Sequence, residues 1–156
     1  MMLVKPKFWD SKIGIISIIL LPFSFFFLLI IFLKRKFTNA KKFKIPVVCV
    51  GNIYVGGTGK TPTSIFLAKE ISKNGKKTAI LRSYHKTHKD EYSLIKSNFE
   101  NLVIKKNRLD GLRDIEKSNF DIVVMDDGLQ DYRIKKDLSI ICFNENQMIG
   151  NGLVFP

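Results

Sequence analysis

The run Val50-Gly51-Asn52-Ile53-Tyr54-Val55-Gly56-Gly57-Thr58-Gly59-Lys60-Thr61-Pro62 concentrates the residue types that hold a triphosphate. Glycines allow positive φ and bring bare N–H groups against phosphate oxygens, a lysine supplies a point charge, and a threonine hydroxyl can ligate Mg²⁺. Gly56, Gly57, Thr58, Gly59, Lys60 and Thr61 are the candidate nucleotide ligands. The strict spacing G-x-x-x-x-G-K-[ST] is not met, because Tyr54 stands at the first glycine position and the neighbouring glycines are Gly51, Gly56 and Gly57. A glycine-rich turn with an incidental lysine is the plain alternative. The flanks favour the phosphate reading, since an apolar run, 46–50, precedes the loop and an amphipathic segment, 62–74, follows it. In that strand–loop–helix arrangement a helix opening at Thr61, with Pro62 in its first turn, adds partial positive charge at the phosphates.

Two acidic constellations accompany the loop. Asp121-Ile122-Val123-Val124-Met125-Asp126-Asp127-Gly128 reads as an apolar strand tipped by two carboxylates. Such a tip can order Mg²⁺ opposite Thr61, so Thr61, Asp126 and Asp127 form the candidate metal set, against the alternative of a simple Asp-Gly turn. Asp90-Glu91 follows Leu81-Arg82-Ser83-Tyr84 and offers a carboxylate that could accept a hydroxyl proton; position alone favours a solvated acidic pair instead. His85 and His88 have metal-ligand spacing but no third ligand nearby, and Cys49 and Cys142 make no CxxC and read as reduced core thiols.

The elements that position these groups follow from periodicity. Apolar runs at 47–50, 78–81, 102–104, 122–125 and 138–143 alternate with helical patterns after Thr61 and over 108–117. Runs of Val, Ile and Leu without polar alternation suit strands buried on both faces of a parallel sheet. The expected fold is therefore a doubly wound α/β domain with its ligand beyond the carboxyl ends of the strands.

The start of the chain is different. Ile13 to Leu33 carries no charge and is nearly all Ile, Leu and Phe, long enough to span a bilayer as a helix. Pro22 and Ser24 allow a kink or a re-entrant dip, and a signal peptide is a further alternative that lacks a small-x-small cleavage site here. Six Lys/Arg and no acid lie between Lys34 and Lys44, within a formal net charge of +12 for 156 residues. A basic cluster beside an apolar helix favours the cytoplasmic side and anionic lipids. No aromatic-rich RNA signature, finger or repeat points to nucleic acid. The expected organisation is a membrane helix over 1–33, a basic linker over 34–45 and a nucleotide-binding α/β domain over 46–156, truncated at its C-terminus because Gly150-Asn151-Gly152 sits in a connecting loop.

Taken together, the glycine loop, Asp90-Glu91, Asp126-Asp127-Gly128-Leu129-Gln130 and Gly150-Asn151-Gly152 resemble, in order and content, the tetraacyldisaccharide 4'-kinases of lipid A biosynthesis. The resemblance implies a P-loop kinase fold behind an N-terminal membrane segment, with ATP and Mg²⁺ as cofactors. The implied substrate is the lipid A disaccharide 1-phosphate, at the cytoplasmic face of the bacterial inner membrane. It implies Lys60 and Thr61 on the phosphates and metal, Asp126 and Asp127 at the metal end, and Asp90 as general base, so that Asp90, Lys60 and Asp127 are the candidate catalytic residues. Arg82 and Tyr84 fall on the family's Ser-Arg-Gly-Tyr element, where this chain has Leu81 and Ser83 instead of serine and glycine. Lys89 replaces a glycine, the stretch between Tyr84 and Asp90 is short, and Asp131 stands where many members have histidine. Members continue into a second lobe, so this chain alone is expected to be weak or inactive. A membrane-tethered partitioning-type ATPase is the rival reading, disfavoured by Val55 where such loops carry lysine. A noncatalytic remnant is the other.

Overall fold

The structure, a computed structural model, describes residues 15–53 and 57–143. These fall into two compact units, the first holding 15–39 with Phe143 and the second Ala40–Cys142.

The first unit is α1 (Ile15–Phe37), an unbroken helix that continues through Pro22. Its segment Ile18–Phe37 is long and apolar enough to cross a membrane, and at 1.5 Å per residue its 20 residues reach about 30 Å. Ile18, Phe23, Phe25, Phe26 and Phe32 are all more than half exposed, as they would not be on a helix inside a soluble core. This is consistent with membrane association. The helix runs past the expected boundary at 33 and takes in Lys34, Arg35 and Lys36, whose charges complement the helix C-terminus.

The second unit contains β1 (Val47–Gly51), α2 (Lys60–Lys73), β2 (Thr78–Ser83), α3 (Lys89–Asn98), β3 (Leu102–Lys105), α4 (Arg108–Lys117), β4 (Ile122–Asp126) and β5 (Leu138–Ile141). It begins within the basic stretch, where Lys41 N–H donates to the Arg133 carbonyl at 2.8 Å and Lys135 N–H returns to Lys41 at 2.9 Å. The five strands form one sheet in the order β3-β2-β4-β1-β5, and all its pairings are parallel.

Side-chain alternation along the three central strands divides the core. Val47 and Cys49, Ala79 and Leu81, Val123 and Met125 face one side with Leu112 and Ile115 of α4. Val50, Ile80 and Val124 face the other with Ile65 and Ala68 of α2 and Ile95 of α3. Both faces are covered by helices, the doubly wound architecture expected from the unbroken apolar runs. The expectation of burial on both faces fails at one edge: β5 leaves Leu138 and Ile141 substantially exposed, because beyond it no further strand pairs among the described residues. It also ends at Ile141, short of Phe143.

Helix α3 is absent from the periodicity reading. Its sequence is polar and only Ile95 is buried, so its apolar stripe is too thin to register. Tertiary bonds hold it instead. Tyr92 Oη donates to the Ser83 carbonyl at 3.0 Å, and the Tyr92 ring stacks on Tyr84 at 6.3 Å between centroids.

Candidate functional site

Three adjacent strands, β2, β4 and β1, end side by side. Arg82 pairs across the sheet with Asp126, and Asp126 pairs with Val50, so the register itself aligns Arg82, Asp126 and the base of the glycine loop. Gly51 closes β1. A Cβ there would lie 2.5 Å from Leu129 Cγ, so only glycine lets the loop start against the turn after β4. Gly59 caps α2 at φ 76°, and both the Thr63 N–H, at 3.0 Å, and the Thr63 hydroxyl, at 2.9 Å, donate to its carbonyl. Helix α2 therefore opens at Lys60, one residue before the expected Thr61.

Asp126 forms the buried centre of the site. It is fully buried and accepts from the Thr61 hydroxyl at 3.2 Å, from the Ser64 hydroxyl at 3.0 Å and from Arg82 Nη1. Arg82 Nη1 also donates to Thr61 Oγ1 at 2.9 Å, while its Nη2 pairs with the Glu91 carboxylate. A buried carboxylate is tolerable only when paired and hydrogen-bonded, and here α2 supplies two hydroxyls and β2 the guanidinium.

Asp127, the next residue, points elsewhere. It turns into the left-handed region at φ 57°, its N–H donates to the Val50 carbonyl at 2.8 Å, and Arg108 Nη2 donates to its carbonyl. The half-exposed carboxylate approaches Lys60 Nζ at 3.5 Å, and Lys60 donates to Asn52 Oδ1 at 2.9 Å. The following turn is tied from behind by Lys136, which donates to the carbonyls of Leu129 at 3.0 Å and Asp131 at 2.8 Å. Asp131 makes a two-pronged pair with Arg133, both bonds 2.8 Å, which holds its carboxyl below the usual range.

The candidate residues are thus only partly gathered. Lys60, Thr61, Asp126 and Asp127 converge at the strand tips, with Gly57, Thr58 and Gly59 leading into them. Gly56 lies outside the described residues, as do Tyr54, Val55 and Gly150-Asn151-Gly152. Asp90 is exposed in the first turn of α3, and the adjacent Glu91 is the carboxylate that reaches Arg82. Ser64, Asn52 and Arg108 escaped the sequence reading, and Glu91 entered it only as the neighbour of Asp90. Ser64 had a signal, since it lies three residues after Thr61 and so shares its helix face. Asn52 meets Lys60 through the fold of the loop, Arg108 meets Asp127 from another element, and Glu91 meets Arg82 through the docking of α3.

His85 and His88 lie with ring centroids 5.2 Å apart, and no group of three metal-ligating side chains exists among the described residues. His88 Nδ1 sits 3.3 Å from Arg82 Nη2 and 3.4 Å from Glu91 Oε2. Burial, then the Arg82 charge, lowers the His88 pKa, favouring the neutral ring. Cys49 is buried in β1 with its thiol pushed up to about 11 by desolvation, an inert core thiol.

A nucleotide and a divalent cation fit this donor set. Among the described residues, Thr58 Oγ1 is buried without a partner, and a Cβ on Gly57 or Gly59 would meet nothing within 4 Å. Thr61 and Asp126 supply two hard oxygens, enough for Mg²⁺ that keeps waters and phosphate as its other ligands.

Comparison with known proteins gives the family of the chain. The family model for LpxK, tetraacyldisaccharide-1-P 4'-kinase, matches residues 16–156. The tetraacyldisaccharide 4'-kinase of Pelagibacter ubique is 42% identical over 100% of this chain and 49% of its own length. That of Allorhizobium ampelinum is 33% identical over 100% of this chain and 50% of its own. The chain spans about half the length of these curated relatives. Among solved structures, LpxK from Aquifex aeolicus in complex with ATP is similar with a TM-score of 0.64 and 28% identity, over 78% of this chain and 47% of that one.

Proposed function

The chain belongs to the tetraacyldisaccharide-1-P 4'-kinase family, and we propose that it forms the nucleotide-binding half of an enzyme transferring the γ-phosphoryl group of ATP to the 4'-hydroxyl of the lipid A disaccharide 1-phosphate. One observation carries the proposal. The strand register sets Asp126 beside Val50 at the root of the glycine loop, and Thr61 then meets Asp126 at 3.2 Å, the pairing that a phosphate loop and its acidic strand need.

In this reading Gly57, Thr58, Gly59 and Lys60 hold the phosphates: the loop amides and the start of α2 favour negative charge, and Lys60 brings its cation to them. Thr61 and Asp126 hold Mg²⁺, with Asp127 beside it, and the metal when bound neutralises charge developing on the transferred group. Asp127 and Asn52 keep Lys60 over the loop in the meantime. Asp90, exposed at the same end of the sheet as its neighbour Glu91, has the access to solvent and substrate that a base for the incoming hydroxyl requires.

A lipid acceptor gives α1 and its basic end a purpose. Confinement to the bilayer concentrates enzyme and substrate together, and each basic residue near an anionic surface adds about 1 kcal/mol. The basic end also favours the cytoplasmic face of the inner membrane, where ATP is available.

The test uses the chain alone and the chain joined to the C-terminal half of the Pelagibacter relative. Both are reconstituted in vesicles with radiolabelled ATP, Mg²⁺ and lipid A disaccharide 1-phosphate. Label entering the lipid from the joined protein, and lost on Lys60→Ala, is expected. No transfer by the joined protein, with ATP still bound, overturns the kinase reading.

A further inference from the structure

We propose that Arg82 is a built-in counter-ion standing where the divalent cation would stand, so that the metal competes with its guanidinium for Thr61 and Asp126. The inference rests on the metal role proposed above for those two residues. Arg82 Nη1 donates to Thr61 Oγ1 at 2.9 Å and to Asp126 Oδ2, and Thr61 Oγ1 lies 3.2 Å from that same oxygen. One nitrogen therefore already satisfies the pair of oxygens that Mg²⁺ would take. Both charged side chains are dry, Arg82 at 4% and Asp126 at 0% exposure, so water does not neutralise Asp126 in place of a cation.

The physical need for this arrangement is plain. A buried carboxylate without a compensating charge is strongly unfavourable, so a metal site of this depth would destabilise the fold whenever the metal left. Arg82 removes that difficulty at the expense of metal affinity. It also has a second partner, since Nη2 pairs with Glu91, which His88 Nδ1 approaches at 3.4 Å. Glu91 is half exposed and sits on α3, whose attachment to the sheet includes Arg82 itself, so giving up Nη1 does not leave the guanidinium unpaired. The consequence is a site that takes a bare cation poorly and takes it well only with a nucleotide, whose phosphates add ligands and negative charge.

Mn²⁺ binding to the full chain, followed by electron paramagnetic resonance with and without a nonhydrolysable ATP analogue, tests this without reference to turnover. Wild type is expected to bind free Mn²⁺ weakly. Arg82→Gln removes the competing charge and should bind free Mn²⁺ about tenfold or more tightly, with a melting temperature that Mn²⁺ now raises. If Arg82→Gln is folded and binds free Mn²⁺ no more tightly than wild type, the inference is overturned. If that variant does not fold, Arg82→Met, which keeps an unbranched apolar stem and loses the charge, decides: tighter Mn²⁺ than wild type supports competition and equal affinity overturns it. Asp126→Asn separates the two levels. Loss of Mn²⁺–nucleotide binding in Asp126→Asn, with no gain in the Arg82 variants, fails this inference alone. Unchanged binding in Asp126→Asn fails the metal reading and the inference with it.

Discussion

Asp126 and Asp127 are consecutive, yet the chain places them in opposite environments. Asp126 ends a strand, is wholly buried, and is held by two hydroxyls and a guanidinium. Asp127 has left the sheet, adopts φ 57°, keeps its carboxylate half exposed and meets a flexible lysine at 3.5 Å. One residue of backbone separates a buried, structural charge from an exposed one. On the proposed metal role, the demands of folding and of cation binding coincide in Asp126, so the residue cannot be tuned for one without the other; Asp127 is free of the first demand.

The sharpest way to break this contrast is to neutralise each carboxylate in turn. Asp126→Asn leaves buried Arg82 with Glu91 as its one remaining carboxylate among the described residues and should cost about 3 kcal/mol of unfolding free energy, measured by urea titration of the detergent-solubilised protein. A loss under about 1 kcal/mol would show that the pair with Glu91 alone is enough to hold Arg82.

Lys60→Ala probes the exposed side. Its lysine is shared by Asp127 and Asn52 and is not part of the core, so binding should suffer and stability should not. An ATP analogue should bind roughly thirtyfold more weakly, the equivalent of about 2 kcal/mol for a charged hydrogen bond, by calorimetric titration. A fall in stability equal to that of Asp126→Asn would erase the distinction between the two regions.

Asp127→Asn is the matched control for Asp126→Asn. It removes an exposed ion pair and should alter stability by about 1 kcal/mol or less in the same urea titration. A larger loss would place Asp127 among the structural charges.

The smallest effect is expected from pH. His88, faced by Arg82, His85, Lys60, Glu91 and Asp127, has a folded pKa below its ordinary 6.5, from burial first and the Arg82 charge second. A lowered histidine pKa means the unfolded chain takes up the proton first. Its contribution to stability is thus present above about pH 6.5 and is lost as pH falls from there through the folded value. Thermal melts at descending pH should show a shallower decline for His88→Asn than for wild type. Equal slopes would mean that Glu91 offsets Arg82 at the ring.

The sequence displayed the sheet well. All five strands lie within a residue or two of the apolar runs, and α4 occupies 108–117 as its pattern indicated, because hydrophobic periodicity and local propensity are properties of neighbouring residues. The N-terminal helix and the Lys60-Thr61 and Asp126-Asp127 motifs were legible for the same reason: length, composition and spacing along the chain suffice to see them.

What only the tertiary structure decided concerns residues far apart in sequence. Helix α3 has one buried side chain and is held by Tyr92 and Glu91 reaching β2, bonds no periodicity encodes. The strand order β3-β2-β4-β1-β5 inserts β4 between β2 and β1, and that insertion sets Arg82 beside Asp126 and Asp126 beside the glycine loop. Sequence named Asp90 as the carboxylate of the Asp90-Glu91 pair; the register of α3 turned Glu91 inward to Arg82 and Asp90 outward. Successive helical positions are about 100° apart, so which of two adjacent acids faces the site depends on how the helix docks.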